Sequence, residues 1–275
     1  MSTDFLATMA QASRERVRRA KLECSPVQLE RLARRTPVPP PLVLDASGFD
    51  LIAELKLRSP AAGALGTGEE DLAARARAYA RAGACAVSVL TEPSRFDGTL
   101  GHLAEASAAL TPLGVPAMRK DFLTDPYQVL EARVAGASGV LVIVRMLNPG
   151  ELAALLDCAR GHGLFVLLET FDEADIERLK ELLARERDRR GLLAGVNCRD
   201  LATLEVVPER LIELAASLPR ELPRVAESGI ATGVDARRAA AAGYTLALVG
   251  SALMRGEDPG ALAAELLAAG RAARA

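Results

Sequence analysis

The sequence predicts a (β/α)8 (TIM) barrel preceded by a helical segment, and three observations carry that expectation. About eight short apolar runs recur at roughly 20- to 35-residue spacing, the length of one strand-loop-helix unit. The runs are continuous rather than alternating, as in Val140-Leu141-Val142-Ile143-Val144 and Leu164-Phe165-Val166-Leu167-Leu168. Strands apolar on both faces belong to a parallel sheet covered on both sides. Finally, 275 residues is long for an ordinary domain but normal for one such barrel.

The elements follow in chain order. The segment through about Leu32 reads as helical, with Arg14, Arg16, Arg18 and Arg19 as its solvated face. Thr36-Pro37-Val38-Pro39-Pro40-Pro41 ends it as a stiff extended linker. Apolar runs then begin near Leu51, Cys85, Pro116, Gly139, Leu164, Leu193, Pro223 and Thr245. Gly83, Gly136 and Gly243 precede three of them and fit helix C-terminal stops. The chain divides into an N-terminal extension and linker, residues 1–45, and a barrel, residues 46–275, within one domain. An open doubly wound sheet is the alternative, but the glycine-rich dinucleotide fingerprint is absent.

Composition narrows the function. A net charge of −2 and 3% aromatic residues leave no electrostatic footprint or stacking platform for nucleic acid. No apolar stretch is long enough to span a bilayer, and the start MSTDFLATMA lacks the basic charge of a signal peptide. Cys24, Cys85, Cys158, Cys198, His102 and His162 are dispersed, so neither a metal site nor a disulfide framework is expected. A reducing cytoplasm is the simplest compartment. A monomer is compatible with the sequence, which names no protein partner.

Arginine so outnumbers lysine that only Lys21, Lys56, Lys120 and Lys180 remain. Lys56 and Lys120 each close an apolar run where a strand gives way to a loop. An ammonium in a low-dielectric site can have its pKa lowered enough to donate a proton, which a guanidinium does not do. The plainer alternative is two surface lysines at solvated strand ends.

A barrel active site lies at the C-terminal ends of the strands. Polar residues there are Glu54 and Lys56 on the first strand, Lys120 on the third, Arg145 after the fourth and Glu169 on the fifth. Asn197 and Arg199 follow on the sixth, Glu227 and Ser228 on the seventh, and Gly250 and Ser251 on the eighth. Spacing of two lets Glu54 and Lys56 share one face, as do Asn197 and Arg199. Such a ring is costly to bury unless it pairs internally or meets a ligand, so a site is the more economical account than a structural ion-pair network. Small residues in Glu227-Ser228-Gly229 and Gly250-Ser251 let a phosphate approach backbone N–H groups. Ser59 adds a hydroxyl or else merely begins a turn before Pro60.

The segments IAELKLRSP, SVLTEPSRFDGTL, MRKDFLTDPYQVLEARVAGASGVLVIV, AGVNCRDLATLEV, AESGI and LVGSALMRGEDP together resemble the indole-3-glycerol phosphate synthase family of tryptophan biosynthesis. The resemblance runs from about Leu51 to the C-terminus in order. It implies a carbon-carbon lyase (carboxy-lyase) of a sugar-phosphate substrate, with neither metal nor organic cofactor. By the same resemblance Lys120 is the general acid of ring closure and Glu169 the general base of dehydration. Lys56 is a second acid and a counter-charge for the substrate carboxylate. Glu54 and Asn197 orient the substrate, Arg199 meets its carboxylate, and Glu227 tethers a lysine or holds a hydroxyl. Ser228 also binds substrate, while Ser59, Gly229, Gly250 and Ser251 hold its phosphate. Phe96 and Phe122 pack on its aromatic ring or are simply core. The N-terminal helix and the Gly63-to-Gly68 loop are the covers. The chain departs from the family at Ala61, where a serine is usual, at Cys198, expected to face outward, and in a shorter segment before Leu51. Competing functions are another sugar-phosphate barrel such as a ketol isomerase, a non-catalytic phosphate-binding relative, and an active duplicate in a specialised indole pathway.

Overall fold

The computed structural model describes residues 5–46, 48–60, 63–65, 71–200, 203–256 and 258–274. The eight barrel strands are β1 (Asp50–Leu55), β2 (Ala86–Leu90), β3 (Ala117–Lys120), β4 (Gly139–Ile143), β5 (Phe165–Thr170), β6 (Leu192–Asn197), β7 (Arg224–Glu227) and β8 (Leu246–Val249). Each pairs in parallel with the next, and β1 closes the ring against β8, with Ala53 opposite Val249. All eight begin within two residues of the positions expected from the apolar runs.

Closure sorts the strand residues by their period of two. Ile52, Met118, Leu141, Leu167, Val225 and Leu248 fill the barrel interior. Their neighbours Leu51, Val87, Val142, Val166, Ala226 and Val249 face outward into the layer under the helices. The runs look uniformly apolar because both sets are buried. Buried Cys198 belongs to this outer layer, as expected.

Helices start where sequence provides a cap. α6 (Pro126–Val134) opens with Pro126 at its first position and the Asp125 carboxylate accepting the Tyr127 N–H at 2.9 Å. α7 (Pro149–Gly161) begins with a reciprocal box between Asn148 and Glu151. The glycines before β2, β4 and β8 all have positive φ, and Gly243 itself ends a helix.

The N-terminal segment departs from expectation in two ways. It is not one helix but two, α1 (Phe5–Glu23) and α2 (Pro26–Arg35), because Ser25 and Gln28 form a capping box that starts α2 afresh. Nor is the arginine cluster uniformly solvated. Arg18 and Arg19 do stay exposed and pair with Glu15, but Arg14 reaches Glu151 and Arg16 reaches the buried Glu92 and Asp121. Thr36 leaves α2 in an extended conformation, and Leu42 and Leu44 pack against the barrel interior.

Asp121 lies in a buried charge network, bonded to Arg16 at 2.7 Å, Thr91 at 2.8 Å and Arg119 at 3.0 Å. Burial alone would raise its pKa, but Arg119 and Arg16 more than reverse that and hold the carboxyl below its ordinary value. Asp121→Asn should therefore cost about 3 kcal/mol at neutral pH, since both guanidiniums lose a buried counter-charge. A carboxyl with a depressed folded pKa contributes fully above its unfolded value, about 4, and loses that contribution as pH falls through the folded value. The gap between wild type and variant in urea unfolding should accordingly shrink below pH 4.

Candidate active site

At the C-terminal mouth of the barrel lies a cavity of about 450 Å³, a volume suited to a small organic ligand. Glu54, Lys56, Ser59, Phe96, Lys120, Phe122, Glu169, Asn197, Arg199, Glu227, Ser228, Gly229, Gly250 and Ser251 all line it. Apart from Arg145, every rim residue expected from sequence is therefore on one wall or another of a single space. The Arg145 guanidinium turns away to Asp172 and Asp175 and stacks over Phe171 at 5.0 Å. Two carboxylates at the start of the helix after β5 outcompete the cavity for its charge.

The chemistry concentrates on Lys120. Its Nζ donates to Glu169 Oε1 at 3.0 Å and to Glu227 Oε2 at 3.2 Å. Asn197 Nδ2 also donates to Glu169 Oε1, at 2.9 Å, while the Asn197 oxygen accepts the Arg199 N–H at 3.0 Å. Across the ring, Lys56 pairs with Glu54 at 2.6 Å. Glu54, Glu169 and Glu227 are at most 3% exposed, so these contacts operate with little screening by water.

The lowered Lys120 pKa expected from sequence is not what the site produces. Burial does push it down, but Glu169, Glu227 and Glu54 outweigh burial and hold the ammonium above its ordinary value. The residue is thus charged and loaded with its proton before a substrate arrives. Glu54 also feels burial most, yet Lys56, Lys120 and Arg199 together keep its carboxyl below the ordinary value. Glu227 behaves oppositely. Burial dominates, the Lys120 charge only partly offsets it, and nearby Glu169 adds repulsion, so its pKa lies well above the usual carboxylate range. Its Oε1 has no hydrogen-bond partner among the described residues.

Two glycines make room for this cluster. A Cβ at Gly195 on β6 would come within 2.3 Å of Glu227 Oε1, and one at Gly250 within 2.1 Å of Glu54 Oε1 and 2.9 Å of Lys56 Nζ. Phosphate approach is the sequence-based reason for Gly250, and close passage of the Glu54–Lys56 pair is a second. Gly195 escapes sequence reasoning, although a lone glycine inside a strand is itself a sign of close approach. Gly250→Ala should force the ion pair apart and lower kcat/KM roughly tenfold, as measured by steady-state kinetics.

Phe5, Phe96, Phe122 and Phe171 line the cavity, with the Phe5 and Phe96 rings 5.9 and 6.3 Å from that of Phe122. Lys56, Ser59, Gly229, Gly250, Ser251 and Arg255 line it as well. Arg255, which sequence reasoning missed, has a guanidinium that makes no hydrogen bond or ion pair with any described residue. Ser228 and Gly229 both adopt positive φ, turning the loop after β7 into the cavity. Phe5 and Leu6 bring the expected cover helix to the rim. Of the second cover, Gly66, Thr67 and Gly68 lie outside the described residues, as does Ala61. The described residues include no group of three or more His, Cys, Asp or Glu arranged to hold a metal.

A barrel with a loaded lysine, a buried carboxylate beside it and small-residue loops after its last two strands is the architecture of an enzyme acting at its C-terminal face. The profile of indole-3-glycerol phosphate synthase matches residues 6–266. The protein of that name from Parafrankia sp. is 42% identical over 250 residues, covering 90% of this chain and 89% of the relative. That from Opitutus terrae is 43% identical over 223 residues, covering 79% and 80%. The chain belongs to the indole-3-glycerol phosphate synthase family. In fold alone it also matches 3-hexulose-6-phosphate synthase from Salmonella typhimurium, with a TM-score of 0.61 at 14% identity over 82% of this chain and 99% of that one.

Proposed function

We propose that this protein closes, decarboxylates and dehydrates 1-(2-carboxyphenylamino)-1-deoxyribulose 5-phosphate to indole-3-glycerol phosphate, as one cytoplasmic domain carrying a helical extension. The observation that carries this is the lining of one cavity, which combines aromatic side chains, the Arg255 guanidinium, unpaired among the described residues, and small-residue loops with the Lys120–Glu169 pair. An anthranilate ring suits the aromatic side chains, and a phosphate suits the small-residue loops and the guanidinium.

In this mechanism a ring carbon attacks the ribulose ketone, and Lys120 protonates the developing alkoxide. The three carboxylates that keep the ammonium loaded also hold it in place. Glu227, whose carboxyl pKa burial pushes up, tethers Lys120 at 3.2 Å. Loss of carbon dioxide restores ring electrons, and dehydration then needs a base and an acid. Glu169 takes the proton. Its Oε1 is occupied by Lys120 and Asn197, leaving Oε2 uncommitted to either donor. Lys56 assists the departing hydroxyl and, with Arg199, faces the substrate carboxylate, while Glu54 and Asn197 orient the substrate. The carboxylate contact also fits the planar guanidinium fork. Ser59, Ser228, Gly229, Gly250 and Ser251 cradle the phosphate.

The test is the appearance of indole-3-glycerol phosphate fluorescence when the purified protein meets this substrate in chelator-containing buffer without added cofactor. Turnover is the expected result. Tight binding without turnover would point instead to a non-catalytic phosphate-binding protein.

A further inference from the structure

α1 meets the barrel along one stripe, with Phe5, Leu6, Met9, Ser13, Arg16, Val17 and Lys21 recurring every one to four residues. Most of its polar contacts are anchors at α6. Gln128 Nε2 donates to Ser13 Oγ at 2.9 Å, Lys21 reaches Asp125 at 2.7 Å, and the Tyr127 hydroxyl donates to the carbonyls of Ala20 and Cys24 at 3.0 and 2.8 Å. Arg16 differs, because both of its carboxylate partners sit at the roots of cavity loops. Asp121 directly follows Lys120, and its Oδ1 accepts the Arg16 guanidinium at 2.7 Å and the Phe122 N–H at 2.8 Å. Glu92, 3.4 Å from Arg16, caps the short helix α4 (Pro93–Phe96) by accepting the N–H groups of Ser94 and Arg95 at 3.0 and 2.7 Å. That helix ends on Phe96. Phe5, eleven residues before Arg16 on α1, meets the Phe122 ring edge-on at 5.9 Å.

We infer that Arg16 is a positioning residue that locks Phe5, Phe96 and Phe122 into one aromatic wall, without itself touching substrate. Glu92 and Asp121 are buried, and one guanidinium reaches both carboxylates from different loops and ties them to the helix bearing the third ring. Ring closure needs the aromatic carbon held near the ketone, and small misplacements there are expensive in rate. The inference rests on the proposal that the substrate ring lies against this wall.

Steady-state kinetics and thermal unfolding of wild type, Arg16→Ala, Arg16→Lys, Phe5→Ala, the Arg16→Ala/Phe5→Ala double variant and Phe122→Ala test it. Arg16→Ala should raise KM roughly tenfold with a smaller fall in kcat. Arg16→Lys should recover most of the loss, because an ammonium still reaches Asp121. The double variant should be little worse than Arg16→Ala alone, since Phe5 then has no fixed wall to complete. A lowered melting temperature with unchanged KM, or additive effects of the two single substitutions, would overturn the inference. Phe122→Ala separates the two layers of the argument: an unchanged KM there would refute the ring's location and the inference with it. A raised KM there with Arg16→Ala silent would refute the Arg16 role alone.

Discussion

Lys120→Met is expected to lower turnover by about three orders of magnitude, within the range that general acid catalysis supplies. The fold should survive, because the side chain is replaced by an apolar one of similar length at the cavity wall. Removing the ammonium nevertheless leaves Glu169 and Glu227 facing each other with no cation between them. Burial already pushes the Glu227 carboxyl up, and losing its cation pushes it further. Lys120→Arg distinguishes the two services of this residue. It preserves the positive charge between the carboxylates but replaces the compact ammonium donor with a planar, delocalised guanidinium. Loss nearly as large as in Lys120→Met is expected in stopped-flow and steady-state assays. Retention of most activity would show that charge, rather than proton delivery, is what the position provides.

Glu169→Gln is expected to cost a similar factor, about 10³, but at a different step. The amide keeps the shape of the carboxylate and an oxygen to accept from Lys120 or Asn197, so binding should change little. It removes the base for dehydration while leaving Lys120 able to protonate the alkoxide of ring closure. Carbon dioxide release and indole fluorescence should therefore separate: in a single turnover the first should outrun the second as the decarboxylated, still hydroxylated intermediate accumulates. In Lys120→Met both should be slow together. Equal slowing of the two signals in Glu169→Gln would place Glu169 at ring closure or decarboxylation instead.

The barrel is legible in the sequence because its strands are buried on both faces and many of its helices are capped by local chemistry. An apolar run such as Val140–Val144 needs no distant residue to announce it, and a Gly with positive φ before the strand marks where the helix must stop. The rim residues are legible for a related reason. Ionisable side chains at the ends of apolar strands have no apolar explanation, so Glu54, Lys120, Glu169 and Glu227 stand out from their neighbours in the chain alone. Arg145 stands out equally and does not join the site, because its fate depends on Asp172 and Asp175, about thirty residues away.

By itself the sequence determined the eightfold strand-helix repeat, the polar set at the strand ends and the small-residue loops after the last two strands. These properties are written in burial pattern and spacing, which are local. Tertiary structure alone decided the state of each charge and the partners of each arginine. Lys120, expected with a lowered pKa, is held above its ordinary value because three carboxylates from β1, β5 and β7 converge on it. Arg16, expected in solvent, bridges two buried loops 76 and 105 residues away. Electrostatic energy depends on distance and burial, both fixed only when the barrel closes.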